Sequence, residues 1–146
     1  LRAFEDKNCE HIIVMVQKEV AEKFTAKVND KDYSSLGIIT ELISIDSRIL
    51  FDVPPESFDP PPKIISSILY IKKDIDKYLD KDFNKFLKAC FVQPRKKLSK
   101  NLTSVLSKDA IFEIYKELNI DDNVRPHEVS SSLYSQMHTR VKDGRN

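Results

Sequence analysis

Glycine is nearly absent: the 146 residues hold two, Gly37 and Gly144. Backbone that must approach a nucleotide or phosphate closely needs residues without a Cβ, so glycines recur at cofactor-binding turns. Two isolated glycines exclude such a turn within these residues. Cysteine is scarce as well. Cys9 and Cys90 are too few for a disulfide framework and read as reduced thiols of a cytoplasmic protein. They share no zinc-ligand spacing with His11, His127 or His138, so no metal site is expected. Long apolar runs are missing too. The longest, residues 12–16, falls far short of the roughly 20 residues a membrane-spanning helix needs.

With 40% apolar and 32% charged residues, the composition is that of a soluble globular protein. At this length it can bury one core, or the remainder of one domain plus a small second one. The formal net charge of +1 hides an asymmetry. Residues 1–80 hold 11 Lys and Arg against 15 Asp and Glu (−4), and residues 81–146 hold 13 against 8 (+5). A basic second half beside an acidic first half suits a protein of which only one part meets a polyanion.

Proline is abundant in one place only. Five of the seven prolines fall in residues 54–66, Pro54-Pro55-Glu56-Ser57-Phe58-Asp59-Pro60-Pro61-Pro62-Lys63-Ile64-Ile65-Ser66, between β-like runs at 48–53 and 64–71. Proline fixes φ near −65° and pushes the preceding residue out of the helical region. The backbone around Phe58 is therefore expected to be stiff and extended, holding one aromatic ring on an arm at a sheet edge. Such an arm makes a platform for a flat ligand. The plain alternative is a loop with Phe58 as a core anchor. A polyproline ligand for a peptide-binding domain is a third reading, weakened by the flanking strands.

Elsewhere, residues 11–17 read as a buried parallel strand and 18–26 as a short helix. Residues 29–35 read as a polar loop with Tyr33 packed back, and 34–45 as an amphipathic helix. In the strand at 48–53, Ile49, Phe51 and Val53 alternate with Arg48, Leu50 and Asp52. After residue 72 the pattern is helical. Phe83, Phe86, Leu87, Cys90 and Phe91 form one stripe, with Lys81, Lys85 and Lys88 on the other faces. Pro94 is expected to end that helix and open the next, whose stripe is Leu98, Leu102, Val105 and Leu106. Ile111, Ile114, Tyr115 and Leu118 mark a third helix with Asp109 near its positive end. Ser130 is placed as the N-cap of a fourth, carrying Leu133, Met137 and Val141.

The wording of the proline segment is specific. Val53-Pro-Pro-Glu-Ser-Phe-Asp-Pro-Pro-Pro-Lys-Ile-Ile-Ser66 resembles the signature of the KsgA-type rRNA adenine dimethyltransferases. Upstream, Met15-Val-Gln-Lys-Glu-Val-Ala21 resembles another segment of that family. Downstream, Gln93-Pro-Arg-Lys-Lys-Leu98 with Asn101-Leu102 is similar to its basic segment, and Arg125-Pro-His-Glu-Val-Ser130 to a run near its C-terminus. The motifs stand in the family's order and cover most of the chain. Two positions depart: Pro94 stands where arginine is usual, and His127 where glutamate is usual.

The resemblance implies the C-terminal part of a doubly wound, S-adenosylmethionine-dependent methyltransferase sheet, residues 1–75, followed by a small all-α rRNA-binding domain, residues 76–146. The family's glycine turn and its asparagine-leucine-proline-tyrosine motif are not among these residues, and Leu1, Arg2, Ala3 and Phe4 read as a helix already under way. A fragment of a longer protein, inactive alone and without cofactor-binding residues, is therefore expected. The parent would dimethylate two adjacent adenines of small-subunit rRNA, as a cytoplasmic monomer. By resemblance Phe58 stacks on the target adenine, Pro60, Pro61 and Pro62 fix its angle, and Lys63 reaches a phosphate. Arg95, Lys96, Lys97 and Lys100 contact rRNA, against the alternative of a solvated helix face. Arg125 and Glu128 read as structural. Two rival functions are a non-catalytic ribosome-assembly binder and a large-subunit methyltransferase conferring antibiotic resistance.

Overall fold

The computed structural model describes residues 2–144. In chain order the elements are α1 (Arg2–Glu5), β1 (His11–Gln17), α2 (Lys18–Thr25), α3 (Ser35–Ile43), β2 (Ser44–Val53) and β3 (Ser66–Lys73). The helices α4 (Lys81–Cys90), α5 (Leu98–Leu102), α6 (Lys108–Leu118) and α7 (Ser131–Gly144) follow. Short 3-10 turns lie at Pro55–Ser57 and Pro126–Glu128. Leu1, expected within the first helix, lies outside the described residues.

The three strands form one sheet in the order β1-β3-β2, and both outer strands run antiparallel to β3. Burial alternates strictly along β3: Ser67, Leu69, Ile71 and Lys73 are buried, and the residues between them are half-buried. The buried face is the one on which α2 and α3 pack. Lys73 is 1% exposed, and its ammonium donates to the carbonyls of Ala3 (2.6 Å) and Asp6 (2.5 Å). A cation at a helix C-terminus satisfies carbonyls that have no partner within the helix, which makes this burial tolerable.

Three expectations are corrected in this half. β1 is neither parallel to its neighbour nor buried. It pairs antiparallel with β3, and Ile13, Val14 and Met15 are 65%, 40% and 52% exposed. An apolar run looks the same whether or not anything covers it, so periodicity alone cannot tell these cases apart. The alternation in β2 is broken by a bulge: Ile49 pairs with Leu69, and Phe51, not Leu50, pairs with Ile68. Two residues then oppose one and the faces exchange. Phe51 turns to the open side, 59% exposed, and Asp52 turns to the helix side. Finally, α3 ends at Ile43 and β2 begins at the next residue, so Ile45 lies in a strand. Tyr33 packs back as expected, at 3% exposure.

In the second half, α4 buries Phe83, Phe86, Leu87 and Cys90 and leaves Lys81, Lys85 and Lys88 in solvent. Asp80 caps it, accepting from the Asp82 N–H at 2.9 Å. It ends at Cys90, four residues before Pro94, and α5 stops at Leu102, so Val105 is exposed. Ser107 caps α6, and Asn119, at φ 55, closes it in the left-handed conformation open to asparagine. Ser130 caps α7 as expected, its Oγ accepting from the Leu133 N–H at 3.2 Å. One hydrophobic cluster runs from Phe4 through Ile38, Ile39 and Leu69 to Leu87, Leu102, Tyr134 and Val141, with α3 touching the sheet, α4 and α7.

Leu87, with no exposure, is central to that cluster. Leu87→Ala in the full-length protein is expected to cost about 2–5 kcal/mol in denaturant titration. Ser130→Ala should cost about 1 kcal/mol, the value of an N-cap.

Candidate functional site

The proline segment is the loop of the β2–β3 hairpin. Val53 and Ser66 form the last rung of the ladder, and residues 54–65 project beyond it. The departing leg is not extended throughout. Pro55–Ser57 make one 3-10 turn, in which the Ser57 N–H donates to the Pro54 carbonyl (3.0 Å) and the Phe58 N–H to that of Pro55 (3.1 Å). The chain straightens at Phe58 (φ −115°, ψ 153°). Phe58 is half-buried, whereas residues 59–65, including Pro60, Pro61, Pro62 and Lys63, are exposed. The Asp59–Pro60 peptide is cis.

The returning leg is not yet a strand at Ile64 and Ile65, contrary to expectation. Prolines have no N–H to give a ladder, and the Ile65 carbonyl is taken by the backbone N–H of Lys18 at 2.9 Å. Lys18 also donates through Nζ to Asp52 Oδ2 at 2.9 Å, and Ser67 Oγ donates to Asp52 Oδ1 at 2.7 Å. The Lys18 hydrogen bond, then that of Ser67, holds the Asp52 carboxyl below the usual carboxylate range. Asp52 in turn raises the Lys18 ammonium. Lys63 lines a cleft of about 430 Å³ at the foot of the arm with Gln17, Lys18, Glu19 and Glu22. The motif containing Lys18 stood out in the sequence, but the partners that give it a role lie 34 and 47 residues away, at Asp52 and Ile65.

The basic residues form a second group on different elements. Arg95, Lys96 and Lys97 lie on the connection between α4 and α5, and Lys100 on α5. All four are exposed and none has an ion-pair partner among the described residues. The connection is held by Asn101, 6% exposed. Its Oδ1 accepts the Gln93 N–H (2.7 Å), and its Nδ2 donates to the carbonyls of Gln93 and Lys97 (3.0 Å each). Asn101 thus makes the basic loop a fixed turn where a helix opening at Pro94 was expected; the helix begins only at Leu98. The other motif is a brace. The Arg125 N–H donates to Glu128 Oε1 (2.8 Å), the Pro126 carbonyl accepts from Tyr134 (2.6 Å), and the His127 carbonyl accepts from the Asn29 N–H (2.9 Å).

Burial pushes the Cys90 thiol up to about 12, and no group of three or more His, Cys, Asp or Glu among the described residues converges on a metal position. No described helix is long and apolar enough to cross a membrane. The residues present also do not fit S-adenosylmethionine. Gly37 lies inside α3, where an added Cβ would meet the carbonyls of Ala26 and Lys23 at 3.1 and 3.2 Å; it serves the close approach of α3 to the chain before it. Gly144 ends α7 in open space.

Comparison with known proteins agrees with the motif reading. The chain is 84% identical to the ribosomal RNA small subunit methyltransferase A of Aliarcobacter butzleri over 146 residues, all of this chain and 55% of that protein. It is 45% identical to the protein of the same name from Sulfurimonas denitrificans, over 99% of this chain and 54% of that one. The chain therefore spans about half the length of the curated relatives it matches. A dimethyladenosine transferase from Plasmodium falciparum shares the fold with a TM-score of 0.76 over 92% of this chain and 57% of that one, at 21% identity. The 23S rRNA methyltransferase ErmE shares it more distantly, with a TM-score of 0.57 at 16% identity over 93% of this chain and 57% of that one. The doubly wound expectation is met in part, as a three-stranded antiparallel portion of a methyltransferase fold. Residues 2–143 match the family described as ribosomal RNA adenine dimethylase, and the chain belongs to that family.

Proposed function

We propose that this chain is part of an rRNA adenine dimethyltransferase that methylates the exocyclic amines of two adjacent adenines in small-subunit rRNA during ribosome maturation. The observation that carries this reading is the half-buried Phe58 on a proline-stiffened hairpin in a chain of this family. S-adenosylmethionine is the methyl donor in this reading of the whole protein, and the residues of this chain serve the acceptor. In the same reading, residues 1–75 complete the sheet of the catalytic domain, residues 76–146 are the rRNA-binding unit, and the protein works as a cytoplasmic monomer.

The chemistry assigns tasks to these residues. An adenine amine conjugated with its ring is a weak nucleophile, so the base must leave its stack and be held with the nitrogen aimed at the donor. Enzymes that act on a base extrude it and grip it against flat apolar side chains. Phe58 supplies such a face, and the prolines on either side limit its movement. Arg95, Lys96, Lys97 and Lys100 supply phosphate contacts, which give affinity and register without reading sequence. Lys63, exposed on the returning leg of the arm, is the cation nearest in sequence to Phe58 and reaches for an extruded nucleotide's phosphate.

The first test is transfer of label from S-adenosylmethionine to unmodified small-subunit particles by the full-length protein. Label should enter adenine. Binding without transfer would leave a ribosome-assembly factor in its place. Phe58→Ala should cut transfer by roughly ten- to hundredfold, the worth of one stacked base at about 1–3 kcal/mol, with particle affinity little changed. Equal losses in both would remove the stacking role. Replacing Lys96, Lys97 and Lys100 by Gln should flatten the log–log salt dependence of binding by about 2, at roughly 0.7 per lost phosphate contact. An unchanged slope would return the cluster to ordinary surface.

A further inference from the structure

Three strand ends meet at the foot of the proline arm. Gln17, the last residue of β1, pairs with Ser66, the first of β3, and Ser66 pairs with Val53, the last of β2. Lys18 follows directly and holds both legs of the arm. Its backbone N–H binds the returning leg at the Ile65 carbonyl, and its Nζ binds the Asp52 carboxylate in β2, one residue before the departing leg's last rung, each at 2.9 Å. To do so the side chain passes the central strand, since β1 and β2 stand two inter-strand spacings apart, about 9–10 Å. The second oxygen of Asp52 accepts from Ser67, which is fully buried, so the carboxylate has a fixed orientation.

We propose that Lys18, acting with Asp52 and Ser67, is the positioning residue that aims the Phe58 arm at the target base. The assignment rests on the stacking role proposed above for Phe58. Stability is not what the pair contributes: both side chains are about 40% exposed, and exposed ion pairs add little to folding. Direction is what it contributes. A stiff arm transmits a small rotation at its foot to a larger displacement at its tip, and a misplacement of about 1 Å at a reacting centre can cost about a hundredfold in rate. The bulge at Leu50 fits this role. Without it Asp52 would turn to the open side of the sheet, away from Ser67 and out of reach of Lys18. Each partner also favours the charged form of the other, so the clamp stays ionised across the neutral range.

The test uses the full-length protein carrying Lys18→Met, Asp52→Asn, the two together, and Lys18→Arg. Each is assayed for methyl transfer to saturating small-subunit particles, for particle affinity and for Tm. Either single change should lower kcat by about tenfold, with affinity held within about twofold and Tm near wild type. The double variant should be no worse than either single one, because both break the same contact, and Lys18→Arg should recover most of the rate. Unchanged kcat, affinity falling in step with kcat, a double variant in which the losses multiply, or a Tm that collapses with activity would each overturn the positioning role. Phe58→Ala assayed alongside separates the two readings. If it impairs transfer and Lys18→Met does not, only the clamp fails. If Phe58→Ala transfers normally, the stacking role has failed.

Discussion

The proline arm hangs from the double pairing of β3. It is the only strand of the described sheet with neighbours on both sides, and its alternating burial fixes which way each partner faces. Leu69 and Ile71 anchor the helices, Ser67 opens the line to Asp52, and Lys73 closes the far end by binding the carbonyls that end α1. A one-residue slip of this strand would turn all four to the open side and put half-buried residues beneath α2 and α3. Register is therefore determined at both ends, by a buried cation at one and a buried hydroxyl at the other. The arm springs from the second of these.

The two surfaces proposed to meet RNA are built by the same device. In each, a loop that carries the candidate residues is held by one polar residue from a neighbouring element. Asn101 uses its amide on the backbone of the basic turn, and Lys18 uses its ammonium and its own N–H on the two legs of the arm. Asn101 spends its bonds on loop backbone, and Lys18 spends one on the Ile65 carbonyl and one on the Asp52 carboxylate at the end of β2, so each loop is held from outside its own residues. Ordering a loop in advance lowers the conformational entropy lost when a large polyanion binds.

Much of this was legible in the residues. The arm, its single aromatic ring, the stripe of α4, the cap at Ser130 and the return of Tyr33 to the core all follow from proline chemistry, spacing and capping preference. What escaped has a common cause. The open side of β1, the bulge at Leu50 and the early end of α4 depend on partners outside each element's own pattern: β3 for the first two, and for the connection after α4 the reach of Asn101 eight residues back to Gln93. A pattern of apolar residues records what can be buried and leaves open what does the burying. Lys18 illustrates the same point, since nothing around it in the chain announces a contact with Asp52.

The outer edge of β1 and the open side of the sheet remain bare in the described residues. Ile13, Met15 and Phe51 lie on that side, each more than half exposed, beside an edge whose backbone groups have no strand to pair with. An apolar surface next to a free edge recruits any extended chain that reaches it, including another copy of itself. Handled in isolation, this stretch would be held in solution by the charged residues of its helices and loops. Its solubility, more than its helical content, would report whether that side of the sheet had found a cover.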